Sequence, residues 1–288
     1  MDGSIYSGFD RKLERDLESN IFDAPKITAR LALNEEVLRE AWTVRHAAYA
    51  AQGLIVPNET GMLRDDWDFS PATRVIVIYK DGDPVATART SLYAPQSGIE
   101  GADAVPSMAM FESEIPSIYQ TLPYDDGFAR VIDISRLGRH PSLGTDCEPV
   151  FAMYRMISYL VLHYKADALI SAVQRHHIPF YRRMGYRQVA EPKAHPRLNL
   201  AAALMACVRP KDGHLRESIP VLGLVAESDS NYAGFIRGDL VPVFGTGTSP
   251  AELNGTFGGR MVGVRGGSRA RQERSAALPQ QSDMSVAA

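Results

Sequence analysis

Between Glu148 and Tyr164 the residues Val150, Met153, Tyr154, Ile157, Leu160, Val161 and Tyr164 form one unbroken apolar stripe at helical spacing. A helix of that kind must bury its stripe, and the runs on both sides of it, Phe128 to Leu137 and Ala168 to Val173, have strand character. Strands joined through such a helix imply a mixed sheet with helices layered on it.

The rest of the chain supplies further pieces of that sheet. Lys26 to Leu33 alternates as a strand does, and Asn34 then stands at a helix N-cap with Glu35 and Glu36 in the first turn. The helix runs to about Gln52 on the face Val37, Leu38, Ala41, Val44 and Ala48, and Gly53 stops it. Arg74 to Tyr79 and Val85 to Leu92 flank Asp81-Gly82, a strong hairpin signal, and predict an antiparallel pair. Tyr93 to Gly127, with Pro95, Pro106, Pro116 and Pro123, predicts loops and one or two short helices. Ile178 to Met184 reads as a short helix ended by Gly185, and Leu198 to Val208 as a last core strand.

These elements divide the chain into a polar leader (1–25), a core domain (26–210), an extension packing on the core (211–244) and a Gly-, Ser-, Gln- and Arg-rich tail (245–288) expected to be disordered. The leader lacks the apolar region of a signal peptide, and no run of about 18 apolar residues appears. A cytoplasmic protein without a transmembrane segment is expected, with contact at a membrane surface left open. Cys147 and Cys207 form neither a zinc motif nor a secreted disulfide framework, which fits a reducing compartment. A net charge of -3 argues against nucleic acid as the partner. His176 and His177 have no carboxylate or cysteine at ligand spacing, so no metal site is expected. Gly245-Thr246-Gly247 follows no strand–helix unit, against a dinucleotide role.

Four pieces occur in order: Arg45 with Tyr49, Asp65 with Asp68, Arg89, and Asp133-Ile134-Ser135-Arg136. Together they resemble the acyl-homoserine-lactone synthases and the related long-chain N-acyl amino acid synthases. The element order, and Pro179 to Tyr186, resemble the wider GNAT superfamily. The resemblance spans roughly Ile27 to Cys207 and departs in two places. Asp133 stands where the family usually has Glu, and Arg139-His140-Pro141-Ser142-Leu143-Gly144 replaces the usual coenzyme A pyrophosphate pattern. It implies a GNAT-like α/β (mixed α+β) three-layer fold, whose largely antiparallel sheet splays between two strands. It also implies transfer of a long acyl group from a thioester to the amine of an amino acid or similar molecule. The alternatives are a homoserine-lactone synthase using S-adenosylmethionine, and a degenerate module that only binds acyl carrier protein. No tightly bound cofactor is implied; the donor substrate is acyl carrier protein or acyl-coenzyme A.

Amine attack on a thioester needs a neutral amine, a polarised carbonyl and a stabilised leaving sulfur. Asp133, on the predicted central strand, is the candidate base, directly or through water; a structural ion pair with Arg136 or Arg89 is the alternative. Tyr181 is the candidate acid toward sulfur or else core packing, and Arg136 joins them as a charged contact. Leu137, Gly138 and Arg139 are expected to line the thioester slot, with backbone N–H groups polarising the carbonyl and Gly138 leaving room for a pantetheine arm. Arg45, Tyr49, Asp65, Asp68 and Arg89 are expected around the acceptor with Trp67 packed among them, carboxylates meeting an ammonium and arginine a carboxylate. Arg175, Arg182, Arg183 and Arg187 form a basic patch for docking acyl carrier protein, or simply a solvated face. A covalent role for Cys147 is a minor alternative.

Overall fold

A computed structural model describes residues 27–125, 127–211, 213, 215 and 225–244. The polar leader and the C-terminal tail lie outside the described residues. In chain order the elements are β1 (Ile27–Leu31), α1 (Glu35–Ala51), a 3-10 turn (Asp66–Phe69), β2 (Thr73–Lys80), β3 (Asp83–Tyr93), α2 (Met108–Phe111), α3 (Glu114–Thr121), β4 (Val131–Arg139) and α4 (Glu148–Tyr164). They continue as β5 (Ala168–Gln174), α5 (Ile178–Arg183), β6 (Arg187–Ala194), β7 (Ala201–Val208), α6 (Tyr232–Arg237) and β8 (Val241–Pro242).

The strands form one sheet in the order β6-β7-β5-β4-β3-β2-β1-β8. The β4–β5 pair is parallel, because α4 carries the chain back across one face; the other pairs with a described register are antiparallel. Period-2 alternation sorts side chains between two layers. Ile76, Ile78, Ala88, Ile132 and Ile134 meet Met153, Ile157 and Leu160 of α4, while Val75, Val77 and Tyr79 meet α1 on the opposite face. Farther along that second face, α2 and α3 cover Val131, Ala168 and Ile170.

Local chemistry explains the element ends. Asn34 Oδ1 accepts from the Val37 amide at 3.0 Å, and the Asp81-Gly82 turn has positive φ at both residues (52° and 90°), as a tight primed hairpin turn requires. Residues 225–244 add Phe235 to the α4 core and pair β8 with β1. β6 was not anticipated from the sequence. It is an edge strand with six exposed residues out of eight, Pro192 and two register shifts, so it shows no apolar alternation.

Two irregularities in β4 shape the molecule. β4 and β5 pair only over Val131–Asp133 and Ala168–Ile170 and then part, with the Ser171 hydroxyl donating to the Ile134 carbonyl at 2.8 Å at the start of the fork. Against β3, Thr87 faces Gly138 and Arg89 faces Ser135, so Arg136 and Leu137 together oppose Ala88 in a bulge. Arg136 takes φ of 53°, a left-handed conformation uncommon for arginine.

Candidate active site

The bulge gives two consecutive residues to one face: Ser135 bonds Arg89, and Arg136 turns to Asp65 and Tyr49, both on the α1 side. There a continuous buried cluster forms. Arg45 of α1 donates to Asp68 at 2.8 and 3.1 Å, and Arg89 Nη1 donates to Asp68 at 3.1 Å and also to Asp65. Arg136 donates to Asp65 at 2.6 Å, with its guanidinium 5.8 Å from the Tyr49 ring centre. Asp68 lies in the 3-10 turn and Asp65 caps it, the Asp68 carboxylate accepting from the Asp65 amide. Arg45 and Asp68 side chains are fully buried, and even the least covered member, Arg136, is only 9% exposed.

Arg45, Tyr49, Asp65, Asp68, Arg89 and Arg136 are thus brought together, but the electrostatics differ from expectation. Arg89 and Arg136 hold the Asp65 carboxyl well below the usual carboxylate range, despite the opposing effect of burial. Both aspartates are consumed by guanidinium groups and are not free to receive an ammonium. Three cations against two anions leave one positive charge in excess, and Arg45 Nε and Nη2 are buried without a hydrogen-bond partner. The indole that serves the cluster is Trp42, whose Nε1–H donates to Asp68 at 3.0 Å. Trp67, expected in that place, is half-buried within the 3-10 turn. Trp42 lies three residues before Arg45 and therefore on the same helix face, a spacing that would have revealed it.

Asp133 follows on the same sheet face, two residues before Ser135. It is fully buried, yet its partner is neither Arg89 nor Arg136: its two oxygens accept from the Ser107 hydroxyl at 2.7 Å and the Ser107 amide at 2.9 Å. Burial pushes this carboxyl up to about 6, against the lowering effect of the Ser107 bonds and of Arg89. Ser107 precedes α2 and carried no recognisable sequence signal.

Tyr181 of α5 is buried near the fork, its hydroxyl accepting from Tyr154 of α4 at 3.3 Å and hydrogen-bonded with Ser171. Burial raises its pKa above the ordinary tyrosine value, with Tyr49 and Asp133 within electrostatic range, so it stays a protonated donor at neutral pH. Ser171 thereby ties both Tyr181 and the Ile134 carbonyl to the point where the strands part.

The residues expected along the thioester slot have side chains engaged elsewhere. The missing side chain of Gly138 faces α1: a Cβ there would lie 3.4 Å from Ala48 Cβ and 3.5 Å from Arg45 Cα, so glycine serves helix–sheet approach. Leu137 packs on the α4 side. Arg139 donates to the Gly144 and Asp146 carbonyls at 2.6 Å each, bracing the loop into α4. The bulge, invisible to simple alternation, shifts all three by one position.

Arg175, Arg182, Arg183 and Arg187 are exposed. Arg175 and Arg182 line a cleft of about 480 Å³ with Ile178, Pro179, Gln188, Glu191 and Pro192. His176 and His177 are exposed, with ring centres 3.9 Å apart. Cys147 begins α4 partly exposed, whereas burial pushes the Cys207 thiol up to about 11. Among the described residues, no group of three or more His, Cys, Asp or Glu could hold a metal, and no helix is long and apolar enough to cross a membrane.

The chain resembles several solved structures. FeeM, an N-acyl amino acid synthase from uncultured soil microbes, is 15% identical, with 70% of this chain and 98% of that chain covered and a TM-score of 0.55. The AHL synthase LasI is 13% identical, covering 76% and 98%, with a TM-score of 0.48. Escherichia coli ElaA is 16% identical, covering 62% and 98%, with a TM-score of 0.42. No curated protein sequence matches. Residues 40–208, more than half the chain, match the family described as N-acyl amino acid synthase FeeM. The splayed sheet and its flanking helices are GNAT-like, and the chain belongs to the FeeM family of N-acyltransferases, which move an acyl group to an amine.

Proposed function

We propose that the protein transfers a long acyl chain from a thioester to the α-amine of an amino acid, producing an N-acyl amino acid. The observation that carries the reading is the excess positive charge of the Arg45–Asp68–Arg89–Asp65–Arg136 cluster beside the fork. Asp133, buried within electrostatic range of Arg89, offsets part of that charge, and a carboxylate on the acceptor would neutralise the rest. That charge balance favours an acceptor bearing a carboxylate over a simple amine.

In this reading the thioester enters the β4–β5 fork. The amine nitrogen attacks the carbonyl carbon, the carbon–sulfur bond breaks, and nitrogen gives up a proton as sulfur gains one. Tyr181 supplies the proton to sulfur and recovers it through Tyr154. Asp133 accepts the amine proton through a relay that includes Ser107, since its own oxygens are enclosed. Backbone N–H groups around the bulge polarise the carbonyl. The proposed donor is acyl carrier protein, docked on Arg175, Arg182, Arg183 and Arg187. The start of α4, where a pyrophosphate would otherwise find a helix terminus, carries Asp146 and Glu148 paired with Lys80.

The purified protein, incubated with C8 to C16 acyl groups on carrier protein or coenzyme A, should convert at least one of the twenty amino acids to its N-acyl product by mass spectrometry. Lactone formed from S-adenosylmethionine alone would replace this reading with signal synthesis. Tight carrier binding without any product would replace it with a binding module.

A further inference from the structure

The hairpin between β6 and β7 reaches across to the end of α1. The Asn199 amide donates to the Leu54 carbonyl at 3.0 Å and its side chain to the Gly53 carbonyl at 3.2 Å. Leu198 and Leu200 pack with Ala48, Tyr49 and Leu54. β7 belongs to the β5 side of the fork and α1 to the β3–β4 side, so this turn spans the two halves at the acceptor cluster.

His195 opens the turn. Its Nδ1 accepts from two backbone amides, Arg197 at 3.0 Å and Leu198 at 3.1 Å. A neutral imidazole carries one N–H, and a ring nitrogen accepting two amides cannot carry it, so the proton resides on Nε2. Arg136 from β4, Arg197 from its own turn and Asp65 at the cap of the 3-10 turn lie within electrostatic range of the ring. Burial and the two arginines outweigh Asp65 and lower the ring to about 4. It is therefore neutral at working pH. It is also no general base: one nitrogen is occupied and the other already protonated.

The geometry points to His195 as a positioning residue that, with Arg136, clamps the carboxylate of the acceptor through its Nε2–H. This rests on the amino acid reading above and adds to it a residue outside the motif set. The reasoning is one of donor count. Arg136 reaches Tyr49 from the bulged strand, its guanidinium 5.8 Å from the ring centre, and the hairpin turn packs Leu198 and Leu200 on the same Tyr49; the Arg136 guanidinium and the His195 Nε2–H are both donors, and the cluster behind them has positive charge to spare.

The test is a cycle between protein and substrate. Its probes are the amino acid converted fastest in the acceptor panel and the carboxamide of that same amino acid. Wild-type protein should prefer the free acid by about 100-fold in kcat/KM. His195→Ala should raise KM for the acid about 10-fold with kcat and donor KM near wild type, and leave the carboxamide almost unchanged. His195→Gln, whose amide N–H can reach a similar position, should recover part of the loss. A wild-type enzyme that uses acid and carboxamide equally refutes the acceptor-carboxylate reading and the clamp together. A wild-type preference that survives intact in His195→Ala refutes the clamp alone. Should the alanine variant fold poorly, imidazole nitrogen NMR of the wild-type protein decides: the Nε2–H tautomer held neutral from pH 8 to 5 supports the assignment, and a titration midpoint above 6 overturns it.

Discussion

Replacing Asp68 by Asn changes one oxygen to an NH2 group with hardly any change in shape, so its effect isolates charge and hydrogen bonding. Asp68 receives Arg45, Arg89, the Trp42 indole and the Asp65 amide, all of them donors. An asparagine keeps one acceptor oxygen and sets a second donor against that group of donors. Arg45, fully buried, then loses its carboxylate partner while Arg89 and Arg136 share Asp65, and the charge of the cluster rises from one to two in excess. Breaking a buried pair while its partner stays charged costs about 3–5 kcal/mol, and a domain of this size shifts its Tm by about 2–4 °C per kcal/mol. A fall in Tm on the order of 10 °C is expected in differential scanning calorimetry, nearly independent of salt because the pairs are shielded from counterions. A variant melting within 2 °C of wild type would refute the claim that these ion pairs hold the 3-10 turn against the sheet.

Asp133 titrates in the opposite sense to most carboxylates: with its folded pKa raised to about 6, its contribution to stability is complete below about pH 4 and is lost as pH rises through 6. Asp133→Asn should therefore abolish a pH-dependent loss on the order of 3 kcal/mol, read as melts at pH 4 and 7; an unchanged pH profile would contradict the buried-carboxylate account. Tyr181→Phe removes the proposed acid, and kcat should fall about 100-fold with KM values nearly constant; full activity would leave Tyr181 as packing. Gly138→Val forces α1 away from the sheet and should cost about 1–3 kcal/mol in urea unfolding, whereas a role in admitting pantetheine would raise donor KM without loss of stability. Arg175→Glu with Arg182→Glu should raise KM for acyl carrier protein at least 10-fold and leave a short acyl-pantetheine donor unaffected; equal effects on both would refute docking at that patch.

Much of this architecture is written locally. The α4 stripe, the Asn34 cap and the Asp81-Gly82 turn are patterns whose physical causes operate within a few residues, and they appear where the sequence places them. The motif residues Arg45, Asp65, Asp68, Arg89 and Arg136 were identifiable by type and order, through the resemblance of that ordered set to the acyl-homoserine-lactone and N-acyl amino acid synthases. The partners themselves were not legible. The left-handed Arg136 bulge moves two adjacent residues to one face and carries Gly138 under α1, a displacement produced by strand pairing across the sheet. Ser107 reaches Asp133, and the turn that carries His195 packs on Tyr49, only because short helices and a hairpin fold over that face from distant parts of the chain. Sequence alone thus determined the elements with a clear apolar period or turn signal, since those follow from local periodicity and solvation; the edge strand β6 and the pairing of the buried charges came only with the sheet, because register and strand divergence are set by contacts between segments far apart in the chain.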